Sequence, residues 1–164
     1  MARYLAVLLL AAALAAAGHA AELKIGVVNI QKLMDEAPQA QTARGRLEQE
    51  FAPRDKLLVD AQRSLRRLED RLTKEGESLS DEERRSLERE IAVQKRELRR
   101  ATDEFREDFT IRRNEELSKL QRQIYETIVE LAKQQGYDLI LESGVIYASG
   151  QVDITEQVLQ RLSK

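Results

Sequence analysis

The chain has no cysteine, no tryptophan, one histidine, two prolines and seven glycines, and only 4% of its residues are aromatic. Each shortage removes a way of building or using a protein. Without cysteine there is no disulfide and no thiol nucleophile or thiolate metal ligand. The single histidine, His19, lies in an apolar N-terminal segment, so an imidazole-based catalytic or zinc site is not expected in the rest of the chain. With three Phe and four Tyr, there is little bulk for one large compact core. Carboxylates are plentiful, but adjacent pairs such as Glu82 with Glu83, Glu107 with Asp108 and Glu115 with Glu116 diverge by about 100° around a helix and make no shared acid–base or metal site. Neither catalysis nor a resident cofactor is expected.

What is abundant is charge: 34% of residues are Asp, Glu, Lys or Arg, set among Ala, Leu and Gln, the composition of long, largely solvated helices. At the N-terminus, Arg3, the apolar run 5–17 and the small residues Gly18 and Ala20 predict a cleaved signal peptide over residues 1–20. A membrane anchor is the rival reading, but the run falls short of the roughly 20 residues that span a bilayer. Removing Arg3 leaves 26 basic against 29 acidic residues, a net charge of −3. An exported, net-negative chain lacks the electrostatic footprint of a nucleic-acid binder.

Residues 23–30, rich in β-branched side chains, predict a strand, followed by a short amphipathic piece at 31–36 and by Pro38 at the first turn of a helix. Phe51, Leu58, Ala61, Leu65, Leu68 and Leu72 then recur at heptad spacing. Pro53 inside that helix removes one backbone hydrogen bond and predicts a bend near 49–53, a hinge. Gly76 is expected as a C′ glycine, and Ser80 with Glu83 forms a capping box that opens the next helix. Leu87, Ile91, Leu98, Ala101 and Phe105 match the outgoing seam. Phe109, Leu120 and Leu131 then recur every 11 residues until Gly136 ends the helix. Two long helices joined by so short a turn run antiparallel, so residues 39–135 form a helical hairpin. At 1.5 Å per residue the returning helix measures roughly 80 Å.

Beyond it, 137–142 and 145–148 flank Ser143-Gly144 and predict a β-hairpin. Asp153 with Glu156 caps a last helix carrying Ile154, Val158, Leu159 and Leu162. The expected class is therefore α+β, mainly α: a long antiparallel coiled-coil arm, 39–135, on a small β-rich body made of 21–38 plus 136–164. That body has 47 residues and no cysteine or histidine to staple it, which points to completion of one sheet by several copies.

The order of these elements resembles the Skp/OmpH family of periplasmic chaperones. The resemblance is carried by Lys24-Ile25-Gly26-Val27-Val28-Asn29, Leu47-Glu48-Gln49-Glu50-Phe51, Arg112-Arg113-Asn114-Glu115-Glu116, Tyr137-Asp138-Leu139-Ile140-Leu141 and Asp153-Ile154-Thr155, and covers the whole chain after the signal segment. It implies a homotrimer in the periplasm whose three arms enclose unfolded outer-membrane proteins, without ATP. Arg112 and Arg113 fall in the part of the family pattern linked to lipopolysaccharide contact. Known members are basic, whereas this chain carries a basic collar beneath an acidic tip. Arg63, Arg66 and Arg67 on one helix and Arg96, Arg99 and Arg100 on the other form the collar, and five acidic groups with no basic one occupy 75–83. The plain reading of the collar is solvation of a coiled coil. The sharper one is attraction for clients, lipopolysaccharide or an anionic lipid surface. A different class of function, an envelope adaptor whose hairpin docks end-on against another coiled coil, remains as the alternative.

Overall fold

The computed structural model describes residues 23–164. The expected signal peptide lies outside the described residues. In chain order the elements are β1 (Ile25–Val27), α1 (Ile30–Glu36), α2 (Pro38–Glu75), α3 (Asp81–Gln135), β2 (Leu139–Leu141) and α4 (Thr155–Leu162). The protein is mainly helical. Its helices of 38 and 55 residues, α2 and α3, form the antiparallel hairpin, and everything else gathers at the hairpin's open end.

The caps explain where the long helices begin and end. Pro38 stands at the first turn of α2, where its missing N–H has no partner to lose. Ser80 and Glu83 close the expected box at the start of α3: the Glu83 N–H donates to Ser80 Oγ at 3.3 Å and the Ser80 N–H to Glu83 Oε2 at 2.9 Å. Asp81, Glu82 and Glu83 face the positive end of the helix dipole. Gly136 ends α3 at φ 68°, a left-handed conformation in which a side chain would be strained. Gly76, by contrast, ends α2 in right-handed geometry, so the expected C′ conformation is not adopted there.

Pro53 sits inside α2, which runs as one helix from Pro38 to Glu75. Opposite the proline, Phe51 packs edge-on against Phe105 and Phe109, with ring centroids 5.5 and 5.2 Å away. Further along, Leu65, Leu87 and Ile91 are buried, with Leu68, Leu72, Leu79 and Leu98 against them, as the heptads require. Ala61 is exposed instead of joining this seam. With only one partner helix, a methyl group is too short to reach across.

At the open end, Leu120, Ile124, Ile128 and Leu131 line one face of α3 at spacings of 4, 4 and 3. Against that face pack Leu33, Ala37 and Ala40, Val28 beyond β1, and Ile154, Val158 and Leu162 of the C-terminal segment. The base holds less strand than the sequence predicts. β1 is three residues, not eight, because Asn29 turns away to cap α1, its side chain accepting from the Lys32 N–H at 2.9 Å. β1 and β2 pair in parallel, Ile25 with Leu139, Gly26 with Ile140 and Val27 with Leu141. Gly26 is required by close approach: a Cβ there would stand 3.1 Å from Ile154 Cδ1 and 3.2 Å from the Tyr137 ring.

The β-hairpin expected across Ser143-Gly144 does not form. Gly144 turns the chain at φ 74°, but 145–148 joins no ladder within the chain. The chain instead crosses to the other edge of β1, where the Val27 N–H donates to the Val152 carbonyl at 2.8 Å and Val27 bridges Asp153. The capping box expected from Asp153 and Glu156 does not form, because the residue at the N-cap of α4 is Ile154 and neither side chain caps the helix. Asp153 accepts from the Thr155 N–H at 2.9 Å, and the Thr155 hydroxyl and N–H hold the Asp153 carboxyl below its ordinary range, but Glu156 turns away to pair with Lys32. Thr155 Oγ1 in turn accepts from the Asn29 N–H at 2.9 Å, tying α4 to the end of β1.

Since Ile124 is fully buried at the centre of the base, Ile124→Ala should cost about 2–5 kcal/mol. Urea unfolding followed by circular dichroism should show a lower midpoint with an unchanged slope.

Candidate functional site

Three surfaces outside the core hold the residues singled out by sequence. The first is the arginine collar. Arg63, Arg66 and Arg67 lie on α2 and Arg96, Arg99 and Arg100 on α3, all exposed. The cross-helix pair Lys95–Glu69, at 2.6 Å, sets an antiparallel register that runs 63–67 alongside 96–100. The two runs therefore meet at one height on the hairpin. Arg63 reaches Asp60 at 3.7 Å and Arg100 reaches Glu104 at 3.9 Å. Among the described residues Arg66, Arg67, Arg96 and Arg99 are exposed and have no carboxylate within 4.0 Å.

The second surface surrounds Arg112 and Arg113, which the structure separates. Arg112 is half-buried and committed within the chain: Nε lies 3.2 Å from Glu50 Oε2, Nη1 donates to Glu115, and Nη2 lies 3.9 Å from Glu116. The bond to Glu115, then that to Glu50, raises the guanidinium pKa above its ordinary value. Arg113 is exposed and lines a groove with Met34, Leu47, Phe109 and Leu117. Pro53, the expected hinge, lies between Phe51 and Arg54. The Arg54 guanidinium lies 5.7 Å from the Phe51 ring centre and 2.7 Å from Asp108 on α3. Backbone support lost at the proline is thus accompanied by aromatic and ionic ties across the hairpin.

The third surface is apolar and lies on the base. Leu139 and Leu141 of β2, Tyr125 and Val129 of α3, and Ile146 and Tyr147 are exposed, the last two almost completely. Between α3 and β2 runs an open groove of about 410 Å³, lined by Ile30, Val129, Ala132, Tyr137 and Leu139 and closed at one end by Tyr125, whose hydroxyl donates to Glu142 at 2.6 Å. The Glu142 carboxylate raises the phenol pKa. Exposed apolar side chains of this size beside an unpaired strand edge are the kind of surface that soluble chains usually cover.

The hairpin, its capped tip and the split base together match a known family. A family model described as outer membrane protein (OmpH-like) matches residues 24–162. The chain belongs to the OmpH-like family. It is 30% identical to the Skp-like protein of Pseudomonas aeruginosa over 159 residues, 96% of this chain and 95% of that one. It is also 30% identical to the chaperone protein Skp of Escherichia coli over 152 residues, 92% of each chain. A crystal structure of an OmpH-like protein from Caulobacter crescentus shares the fold, with a TM-score of 0.74 over 87% of this chain and 85% of that one, at 13% identity. OmpH-like proteins are chaperones rather than enzymes. Among the described residues no helix is long and apolar enough to cross a membrane.

Sequence pattern alone places Glu116 only as a neighbour of Glu115 that makes no shared site with it; in the structure Glu116 is buried. Its position carried the signal: it lies seven residues after Phe109 and four before Leu120, on the seam itself.

The aromatic cluster opposite Pro53 generates a direct test. Phe51→Ala should cost about 3–5 kcal/mol, read as a lower midpoint in urea unfolding, whereas truncating the exposed Leu57 should change stability by less than about 0.5 kcal/mol.

Proposed function

We propose that the chain is an ATP-independent periplasmic holdase that works as a homotrimer, its three hairpins acting as arms around unfolded outer-membrane proteins. The observation that carries this reading is the long, slender hairpin rising from a base too small and too apolar on its outer face to stand alone. Similarity to the chaperone protein Skp along nearly the full chain supports it. Residues 21–38 and 136–164 would form the shared body and 39–135 the arm. The open edge of β2 and the exposed Ile146 and Tyr147 are the parts that neighbouring copies would cover.

Retention would come from many weak contacts acting together, not from one tight site. A client that starts to fold withdraws its apolar segments and loses those contacts collectively, so release needs no nucleotide. The unpaired arginines of the collar would add attraction for anionic groups of clients, lipopolysaccharide or a lipid surface. That attraction weakens with salt, because exposed charges are screened over roughly 8 Å at physiological ionic strength. Pro53 would serve as a hinge that adapts the cage to client size.

Sedimentation equilibrium should show a trimer at micromolar concentration. Ile146→Asp combined with Tyr147→Asp should shift it towards monomer, and a stable folded wild-type monomer would sink the reading. In a second measurement, the purified protein should suppress aggregation of an unfolded β-barrel protein without nucleotide. Removing 63–100 and closing the hairpin with a short turn should leave the trimer intact and abolish that suppression. A shortened protein that protects as well as the full one would refute the role given to the arms.

A further inference from the structure

Sulfur, the element in proteins that two-electron oxidants attack first, is almost absent from this chain. There is no cysteine, and the two methionines are Met1, in the segment expected to be cleaved, and Met34, in α1. From Ala21 onward, sulfur chemistry is confined to one thioether.

The structure leaves that thioether within reach of small solutes. Leu33 is fully buried in the base, but Met34 follows it about 100° further round α1 and is half-buried. It packs at the edge of the buried cluster and lines the open groove of about 610 Å³ between α1 and the hairpin. Ala43 and Leu47 of α2 and Phe109 and Leu117 of α3 make the rest of the apolar floor, and Leu117 is 40% exposed, so the groove is open to water.

The rim of the groove is polar, and two of its cations are free. Arg44 on α2 and Arg113 on α3 line the groove, are exposed, and make no ion pair within 4.0 Å among the described residues. The Gln31 amide, a third donor on the rim, is engaged by Asp35 at 3.0 Å.

A hydroperoxide oxidises such a thioether without further catalysis. The sulfur lone pair attacks one peroxide oxygen and the O–O bond breaks. The departing hydroxide then takes the proton from the transferred hydroxyl and leaves as water, so sulfur loses two electrons and the peroxide gains them. The sulfoxide is polar and accepts hydrogen bonds. Buried without a donor, its oxygen would carry the cost of any unpaired polar group. In this groove, donors are present: the guanidinium N–H groups of Arg44 and Arg113 have no carboxylate of their own to satisfy.

We propose that Met34 is an oxidation site of the folded protein, and that Arg44 and Arg113 receive the oxygen of its sulfoxide. Reduced, α1 gives the groove an apolar wall. Oxidised, that wall is polar and hydrogen-bonded to the rim, and the base stays folded. The inference does not depend on the chaperone reading.

Hydrogen peroxide is the probe, applied at neutral pH to the chain that begins at Ala21, and peptide mass spectrometry reads the gain of one oxygen at Met34. Because reactivity follows exposure of the sulfur, oxidation of the folded protein should be slower than that of the urea-denatured chain by less than about tenfold. Stronger protection would overturn the site. Circular dichroism of the oxidised protein should show the helix content of the untreated one, and a loss of helix would equally overturn the proposal. The part given to the arginines is read from Tm. Oxidation should lower Tm at least about twice as far in the variant carrying Arg44→Ala and Arg113→Ala as in wild type, because only there is the new oxygen left without its donors. Equal falls would refute their role. Met34→Leu is the control: its Tm should not respond to peroxide, and a response would place the effect on another residue and overturn the assignment to Met34. None of these readouts involves a client, so a failure of holdase activity would leave them standing.

Discussion

The apolar face formed by Leu120, Ile124, Ile128 and Leu131 at the end of α3 is the contact on which the rest of the structure depends. The two halves of the base lie more than one hundred residues apart, at Ile25–Val27 and Leu139–Leu141, and neither carries enough apolar surface to fold unaided. The α3 face receives Leu33, Val28, Ile154 and Val158 together, so burial at one helix end organises α1, the strand pair and α4 at once. The long excursion between the halves costs little entropy to close. The antiparallel hairpin brings its own ends together before the strands need to meet.

Further out, the hairpin has only one layer of apolar contact, centred on Leu65, Leu87 and Ile91. Cross-helix ion pairs such as Arg54–Asp108 and Lys95–Glu69 are solvent-exposed and worth about 0–1 kcal/mol each. The helices therefore lean on local terms: strong helix formers along both, Pro38 and the Ser80–Glu83 box at their starts, and the left-handed Gly136 at the far end. A structure built this way is stiff over short stretches and yielding wherever the seam thins.

Much of this was readable from the chain, because period and punctuation are local. The seam at Leu65, Leu68, Leu72, Leu87, Ile91 and Leu98, the capping box and the end at Gly136 need nothing beyond neighbouring residues to be inferred. The base was less legible because its strands are decided by competition between distant segments. Residues 145–148 look like a strand but do not pair with β2, whose outer edge stays open within the chain; after Gly144 the chain crosses instead to the other edge of β1 at Val152 and Asp153. Asn29 reads as strand by its neighbours, yet its side chain is worth more as the cap of α1. The arginines of the collar were legible as a pattern. Which of them remain unpaired depended on the register set by Lys95 and Glu69.

The run Arg112-Arg113-Asn114-Glu115-Glu116, part of what makes this chain resemble its relatives, divides into two physical roles once its side chains are placed. Arg112 and Glu116 point into the helix interface and answer to Glu50 and Arg46 across it. Arg113 points outward beside an apolar groove. An adjacent basic pair is therefore no guide by itself to ligand contact, because one of its two charges is already engaged within the hairpin by Glu50, Glu115 and Glu116. Arg113, one residue on, is exposed and makes no ion pair within 4.0 Å among the described residues, so two neighbouring arginines of one sequence run carry different physical roles.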